Sequence, residues 1–291
     1  MAPPNAGAFS VNLREVFASV GARGKESRKL DAGDGAATDV ILEADDLLAV
    51  RAALLAPMAD QQLDWCLQPL EGRRKRLLVA DMDSTIINVE CLDEIADFAG
   101  LKAEISAITE RAMRGELAFE GALRERVAML KGLPVTALQQ AYDQRVRLNP
   151  GARTLVRTMA ANGARCVLVS GGFGFFTKAV AKEAGFHAER ANSLIEADGA
   201  LTGEVAEPIL GREAKLAALN TEAAALGVPR SATLAVGDGA NDLAMIEAAG
   251  LGVAYRAKPI VAAQADARVD HADLTALLYF QGYAQGDFVT D

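Results

Sequence analysis

Apolar positions along this chain follow two patterns. Short continuous runs, Leu77-Leu78-Val79-Ala80, Cys166-Val167-Leu168-Val169, Thr233-Leu234-Ala235-Val236 and Leu251-Gly252-Val253-Ala254, end in polar or glycine-rich turns. Runs of this length predict strands buried on both faces of a parallel sheet. Between and after them, apolar residues recur at helical spacing over 152–161, 176–184, 213–226, a segment reaching 249, and one opened by Pro259, with a last strand expected at 267–269. Asp198-Gly199 predicts a hairpin turn within 193–204. Strands alternating with helices at this spacing predict a doubly wound α/β fold.

One block breaks the alternation. After the first strand, residues 92–98, 104–113, 120–130 and 138–142 carry helical spacing with no strand between them, up to the breaker Asn149-Pro150-Gly151. A helical insertion at that point hangs over the carboxyl edge of the sheet, so it is expected to act as a lid. Upstream, residues 1–35 are expected to be loop, 40–42 and 62–67 strands, and 45–58 a helix, with Trp65 in a small core. The basic stretch 71–76 is expected to be a solvated junction. The expected division is a small α/β region over residues 1–74 and a larger unit over 75–291, with the lid at about 90–148.

Composition narrows the classes. Of 291 residues, 51% are hydrophobic and 24% charged, an ordinary globular balance. No apolar run is long enough to span a bilayer and the start lacks a signal-peptide pattern, so the expected compartment is the cytoplasm. The three cysteines Cys66, Cys91 and Cys166 are odd in number and widely spaced, which argues against a disulfide framework or a cysteine zinc site. A net charge of −9 gives no basis for nucleic-acid or membrane-surface binding. A small anionic substrate remains compatible, because charges beyond roughly 8 Å are largely screened at physiological salt.

Candidate chemistry sits where the runs end. The first stops at Asp81-Met82-Asp83-Ser84-Thr85, the second at Ser170-Gly171-Gly172, the third at Gly237-Asp238-Gly239-Ala240-Asn241-Asp242. Taken alone, two aspartates one residue apart also form an ordinary Asx turn. In a parallel sheet, however, all three turns share one edge, where ligands of open α/β sheets gather. Asp81 and Asp238, with Asp242 nearby, then make a hard oxygen site suited to Mg²⁺. Ser170 and the adjacent glycine amides offer donors to an anion, and Lys215 adds a positive point charge.

These four segments, in this order, resemble the motifs of the haloacid-dehalogenase-like phosphatases. The detail, including Val89-Glu90, Met113, Phe119, Arg124-Glu125-Arg126-Val127 and Leu278-Tyr279-Phe280-Gln281-Gly282-Tyr283, is similar to the phosphoserine-phosphatase branch over roughly 75–283. The resemblance implies a Rossmannoid core with a helical cap of the C1 type. It also implies Mg²⁺-dependent hydrolysis of phosphoserine to serine and phosphate, the closing reaction of serine biosynthesis. Asp81 is then the nucleophile, forming an aspartyl-phosphate, and Asp83 the acid and base, its pKa raised while Asp81 stays ionised. The metal is implied at the Asp81 and Asp238 side chains and the Asp83 carbonyl, with Asp242 acting through water. Ser170, Gly171 and Lys215 are implied for the phosphoryl oxygens, Arg126 for the substrate carboxylate, Glu90 for its ammonium, Met113 and Phe119 for closing the pocket, and Asn241 for positioning.

Other readings stand beside these. Arg124, Glu125 and Arg126 also read as salt pairs on a solvated helix. Transfer of the phosphoryl group to homoserine instead of water, or a phospho-amino-acid sensor without catalysis, are alternative functions. His187 and His271 read as solvent-facing or capping. Residues 1–74 carry either a regulatory amino-acid-binding fold or a plain packing role, homodimerisation included.

Overall fold

A computed structural model describes residues 11–31, 37–113 and 117–290, without the side chains of Glu110, Ala112 and Met113. The chain opens with α1 (Leu13–Ser19), β1 (Arg23–Lys29), β2 (Thr38–Glu43) and α2 (Leu47–Ala59). β1 and β2 pair antiparallel. The expected loop over 1–35 is therefore corrected: its described part forms a helix and a strand, while residues 32–36 of its glycine-rich turn lie outside the described residues. Every residue of β1 is exposed and it is strongly charged, so no alternation announced it.

Phe17, Ala22, Val50, Leu54 and Met58 form a small apolar cluster of their own, with Leu63, Trp65 and Leu67 packed on it. The strand expected at 62–67 is absent. Its alternate residues do face this cluster, but the segment bonds sideways to the larger part of the chain. The Asp64 carboxylate accepts the Asp270 and Ala272 amides at 2.7 Å each, and Gln68 donates to the Phe280 carbonyl at 2.7 Å. Nor is 71–76 simply solvated. Arg73 pairs with Asp39 at 2.7 Å, and buried Lys75 donates to the Gly72 and Ser231 carbonyls.

β3 (Leu77–Ala80) enters the main sheet, and α3 (Cys91–Phe98), α4 (Lys102–Met113), α5 (Phe119–Ala128) and α6 (Thr136–Arg145) follow it. The entry and exit of this four-helix insertion pair as an antiparallel bridge, Ile87 with Leu148. The βα series then runs α7 (Ala152–Ala161), β4 (Arg165–Phe173), α8 (Gly174–Ala184), β5 (Ala188–Asn192), the hairpin β6 (Leu194–Ala197) and β7 (Ala200–Val205), and α9 (Arg212–Leu226). It ends with β8 (Thr233–Gly237), α10 (Leu243–Ala248), β9 (Leu251–Tyr255), α11 (Pro259–Ala262), β10 (Ala267–Val269) and α12 (Ala276–Phe280). Asp198 and Gly199 both take positive φ, 53° and 78°, as a primed hairpin turn requires.

The six-stranded sheet runs β10-β9-β8-β3-β4-β5, with every pair parallel. Successive side chains of a strand point to opposite faces, so β3 divides itself between two cores. Leu78 and Ala80 join Leu155, Met159, Phe176 and Leu277 on one face. Leu77 and Val79 join Leu219, Ile246 and Val261 on the other. Both faces are covered, which is why the runs read as continuously apolar. The chain builds β4 and β5 to one side of β3, then crosses to β8 on the other. The crevice created by that reversal opens at the carboxyl ends of β3, β4 and β8.

Candidate active site

Asp81 follows β3 directly and is 5% exposed. Next the chain makes a tight turn, with Ser84 held at a positive φ of 56°. The turn is fixed from three sides. The Asp83 carboxylate accepts the Cys91 backbone N–H at 2.9 Å, which ties it to the first turn of α3, and the Ser170 hydroxyl at 2.9 Å. The Thr85 hydroxyl donates to Asp238 at 3.2 Å. Asn149 donates its amide to the carbonyls of Thr85 at 2.8 Å and Ile87 at 2.9 Å. Sequence reading missed Thr85, Cys91 and Asn149 as supports. The first adjoins the aspartates, the second opens a helix and the third belongs to the breaker, but only the fold turns their donors toward this turn.

Lys215, on the first turns of α9, is 2% exposed. Its Nζ lies 2.5 Å from one oxygen each of Asp81 and Asp242. Burial opposes its charge, but the two carboxylates prevail and raise its pKa, so it is an ammonium. The other Asp242 oxygen accepts the Gly239 N–H at 3.0 Å. A Cβ at Gly237 would collide with the Asp242 carboxylate, so only glycine allows β8 to end this close to it.

Burial and the adjacent Asp242 raise the Asp81 carboxyl well above the usual carboxylate range, against the pull of Lys215. Burial also raises Asp83, against its bonds from Cys91 and Ser170. Burial thus acts in the same direction on both carboxyls of this turn. Asp238 is raised too, by burial and then by Asp242.

Asp81, Asp238 and Asp242 each offer an oxygen, all within 4.8 Å of one another. With Lys215 on one Asp81 oxygen and Thr85 on one Asp238 oxygen, each of these aspartates keeps a second oxygen. Both Asp242 oxygens are already engaged, by Lys215 and Gly239. Hard oxygen donors drawn from few carboxylates fit a divalent cation that retains several waters.

The insertion brings further groups. Glu90 reaches solvent yet accepts the Ser84 hydroxyl at 2.6 Å. Desolvation within the cleft and the nearby Asp83 charge push its carboxyl up to about 7. Half-buried Arg126 donates to the Ala122 carbonyl at 3.1 Å and to Thr109 at 3.4 Å. Its neighbours do form salt pairs, Arg124 with Glu207 and Glu125 with Arg111. Among the described residues, none gives Arg126 a carboxylate at ion-pair distance. The Phe119 ring lies over two glycines: a Cβ at Gly171 would stand 3.4 Å from it, and one at Gly211 3.5 Å. Half-buried Asn241 lies against Gly239. The Met113 side chain is outside the described residues. Away from the site, His187 accepts the Cys166 N–H at 3.0 Å.

Comparison with known proteins places this geometry. The family model described as haloacid dehalogenase-like hydrolase matches residues 78–247. The chain belongs to that family. Among its haloacid dehalogenase-like relatives, the phosphoserine phosphatase of a Polaromonas species is 47% identical over 70% of this chain and 88% of its own length. Phosphoserine phosphatase SerB2 of Mycobacterium tuberculosis is 42% identical over 82% of this chain, which spans only 58% of that protein. A solved HAD family hydrolase from Salmonella enterica serovar Typhi superposes with a TM-score of 0.80 at 29% identity, covering 92% of this chain and 91% of its own. A substrate-bound phosphoserine phosphatase complex superposes with a TM-score of 0.66 at 39% identity, covering 71% and 98%. No helix among the described residues is long and apolar enough to cross a membrane.

Proposed function

We propose that this protein is a Mg²⁺-dependent phosphoserine phosphatase that hydrolyses O-phospho-L-serine to L-serine and phosphate. The observation that carries the reading is that two carboxylates on one turn, Asp81 buried and Asp83 half-buried, have different kinds of partner. Asp81 meets the ammonium of Lys215, whereas Asp83 meets neutral donors, the Ser170 hydroxyl and the Cys91 N–H. The ammonium works against burial and Asp242 to hold a carboxylate that attacks, while neutral donors leave a carboxyl that can give and take a proton. Relatives named phosphoserine phosphatase support the choice of substrate.

In the mechanism we infer, an Asp81 oxygen attacks phosphorus in line and the bond to the serine oxygen breaks. Asp83 gives its proton to that leaving oxygen. Water then attacks the aspartyl-phosphate, losing a proton to Asp83 and releasing phosphate, and Asp81 is regenerated. Ser170, the Gly171 N–H and Lys215 hold the phosphoryl oxygens as their charge shifts. A divalent cation held by Asp81, Asp238 and the Asp83 carbonyl, with Asp242 supporting, would supply positive charge that keeps Asp81 ionised and neutralises the phosphoryl group. Arg126 grips the substrate carboxylate, Glu90 faces its ammonium, Asn241 aids positioning, and Phe119 with Met113 closes the lid.

The test compares phosphate release from phosphoserine and from phosphoethanolamine, which lacks the carboxylate, with Mg²⁺ and with a chelator. The wild-type protein is expected to need the cation and to prefer phosphoserine strongly. Arg126→Ala is expected to lower kcat/KM for phosphoserine by roughly 10²-fold while barely changing phosphoethanolamine. Equal losses on both esters would remove Arg126 from recognition. Formation of phosphohomoserine in place of phosphate when homoserine is added would turn the reading to phosphotransfer.

A further inference from the structure

The ladder between β4 and β5 is interrupted where the site begins. Val169 pairs with Arg190, and the next pair is Phe173 with Asn192, so β4 advances four residues while β5 advances two. The Ser170-Gly171-Gly172 stretch therefore bulges out of the sheet. A buried bulge loses ladder partners, and its main-chain groups must find others. Asn192, 2% exposed, supplies the one for Gly171. Its amide nitrogen donates to the Gly171 carbonyl at 2.8 Å and to the Leu210 carbonyl at 3.2 Å, and its oxygen accepts the Leu210 N–H at 2.7 Å. The carboxamide pairs with Leu210 much as one strand residue pairs with another. One side chain thereby ties the turn bearing Ser170 and Gly171 to the segment that opens α9 and carries Lys215. Gly171 and Gly211, the two glycines beneath the Phe119 ring, are respectively bonded by Asn192 and adjacent to a residue it bonds.

We propose that Asn192 is a positioning residue for phosphate-ester turnover. It fixes the separation between the two walls of the phosphoryl cradle, Ser170 with Gly171 on one side and Lys215 on the other, and levels the surface on which Phe119 closes. The proposal rests on the functional reading above for what the cradle holds. Asparagine suits the place because two carbonyls need a donor while one N–H needs an acceptor, and an ionised aspartate cannot donate.

The test uses Asn192→Asp and Asn192→Ala in the full chain. It measures calorimetric binding of inorganic phosphate with Mg²⁺, phosphoserine turnover across pH, and thermal unfolding. Asn192→Asp sets a carboxylate against two carbonyls, so phosphate affinity and kcat are each expected to fall roughly 10- to 100-fold. The loss relative to wild type should shrink as pH falls and the new carboxyl regains a proton to donate. Variants that unfold earlier yet bind phosphate and turn over within twofold of wild type would overturn the proposal. If Asn192→Asp does not fold, Asn192→Ala decides by the same phosphate affinity and kcat. Weakened phosphate binding in a protein whose wild type does not hydrolyse phosphoserine would support the positioning role and refute the functional reading. Unchanged phosphate binding beside normal wild-type turnover would do the reverse.

Discussion

Asp81→Asn is expected to abolish turnover of phosphoserine, lowering kcat by about 10⁴–10⁶-fold, with the fold intact. The amide keeps the shape of the side chain and an oxygen for Lys215, but it is a poor nucleophile toward phosphorus. Stability should not follow activity. Asp81 is buried beside Asp242, and both facts already disfavour its charge. Removing that charge offsets the weakened pairing with Lys215, so the melting temperature is expected to stay level or rise. Phosphate release within tenfold of wild type would exclude Asp81 as the attacking group.

The second large effect is expected from Lys215→Met. Lys215 bridges Asp81 and Asp242 from a position 2% exposed, and methionine fills a similar volume without charge. Two consequences separate its roles. Loss of a donor to the phosphoryl oxygens should cost about 10²–10³-fold in kcat. The two carboxylates also lose their shared counter-charge, a defect that typically costs about 3–5 kcal/mol when one partner of a buried pair is removed. Added Mg²⁺ should restore much of that stability by binding the same carboxylates, so the variant's melting temperature should respond to Mg²⁺ more than the wild type's does. A variant as stable as wild type in chelator, with kcat within tenfold, would contradict both roles.

The legibility of these residues in the sequence has a physical pattern. Leu77 to Ala80 were plain because a strand covered on both faces needs apolar residues at every position, and Asp81 marks the point where burial ends in chemistry. Asp198-Gly199 was plain because few residues accept two successive positive φ values. β5, the polar run Ala188–Asn192, went unseen because it lies at the edge of the sheet, where no second neighbour selects its side chains. The strand expected at residues 62–67 failed for the opposite reason. Its alternation is real, but Asp64 and Gln68 commit the segment to Asp270, Ala272 and Phe280 rather than to a strand. The candidate site residues, Asp81 and Asp238 beside the ends of β3 and β8, Ser170 in β4 and Lys215 on the first turns of α9, were legible by type and order. Those that brace them, Asn149 and Asn192, act on main-chain carbonyls far away in sequence, and a lone asparagine carries no trace of such a partner.

The account depends most on a phosphoryl group passing through Asp81. Mixing the protein with phosphoserine and Mg²⁺, quenching in acid within the first turnovers and mapping the peptides by mass spectrometry tests that step directly. Asp83→Asn can be run in parallel to slow hydrolysis of the intermediate. The account predicts a phosphorylated peptide containing Asp81, absent in Asp81→Asn and in chelator. Release of phosphate with that peptide unmodified throughout, or with the group on another residue, would contradict it.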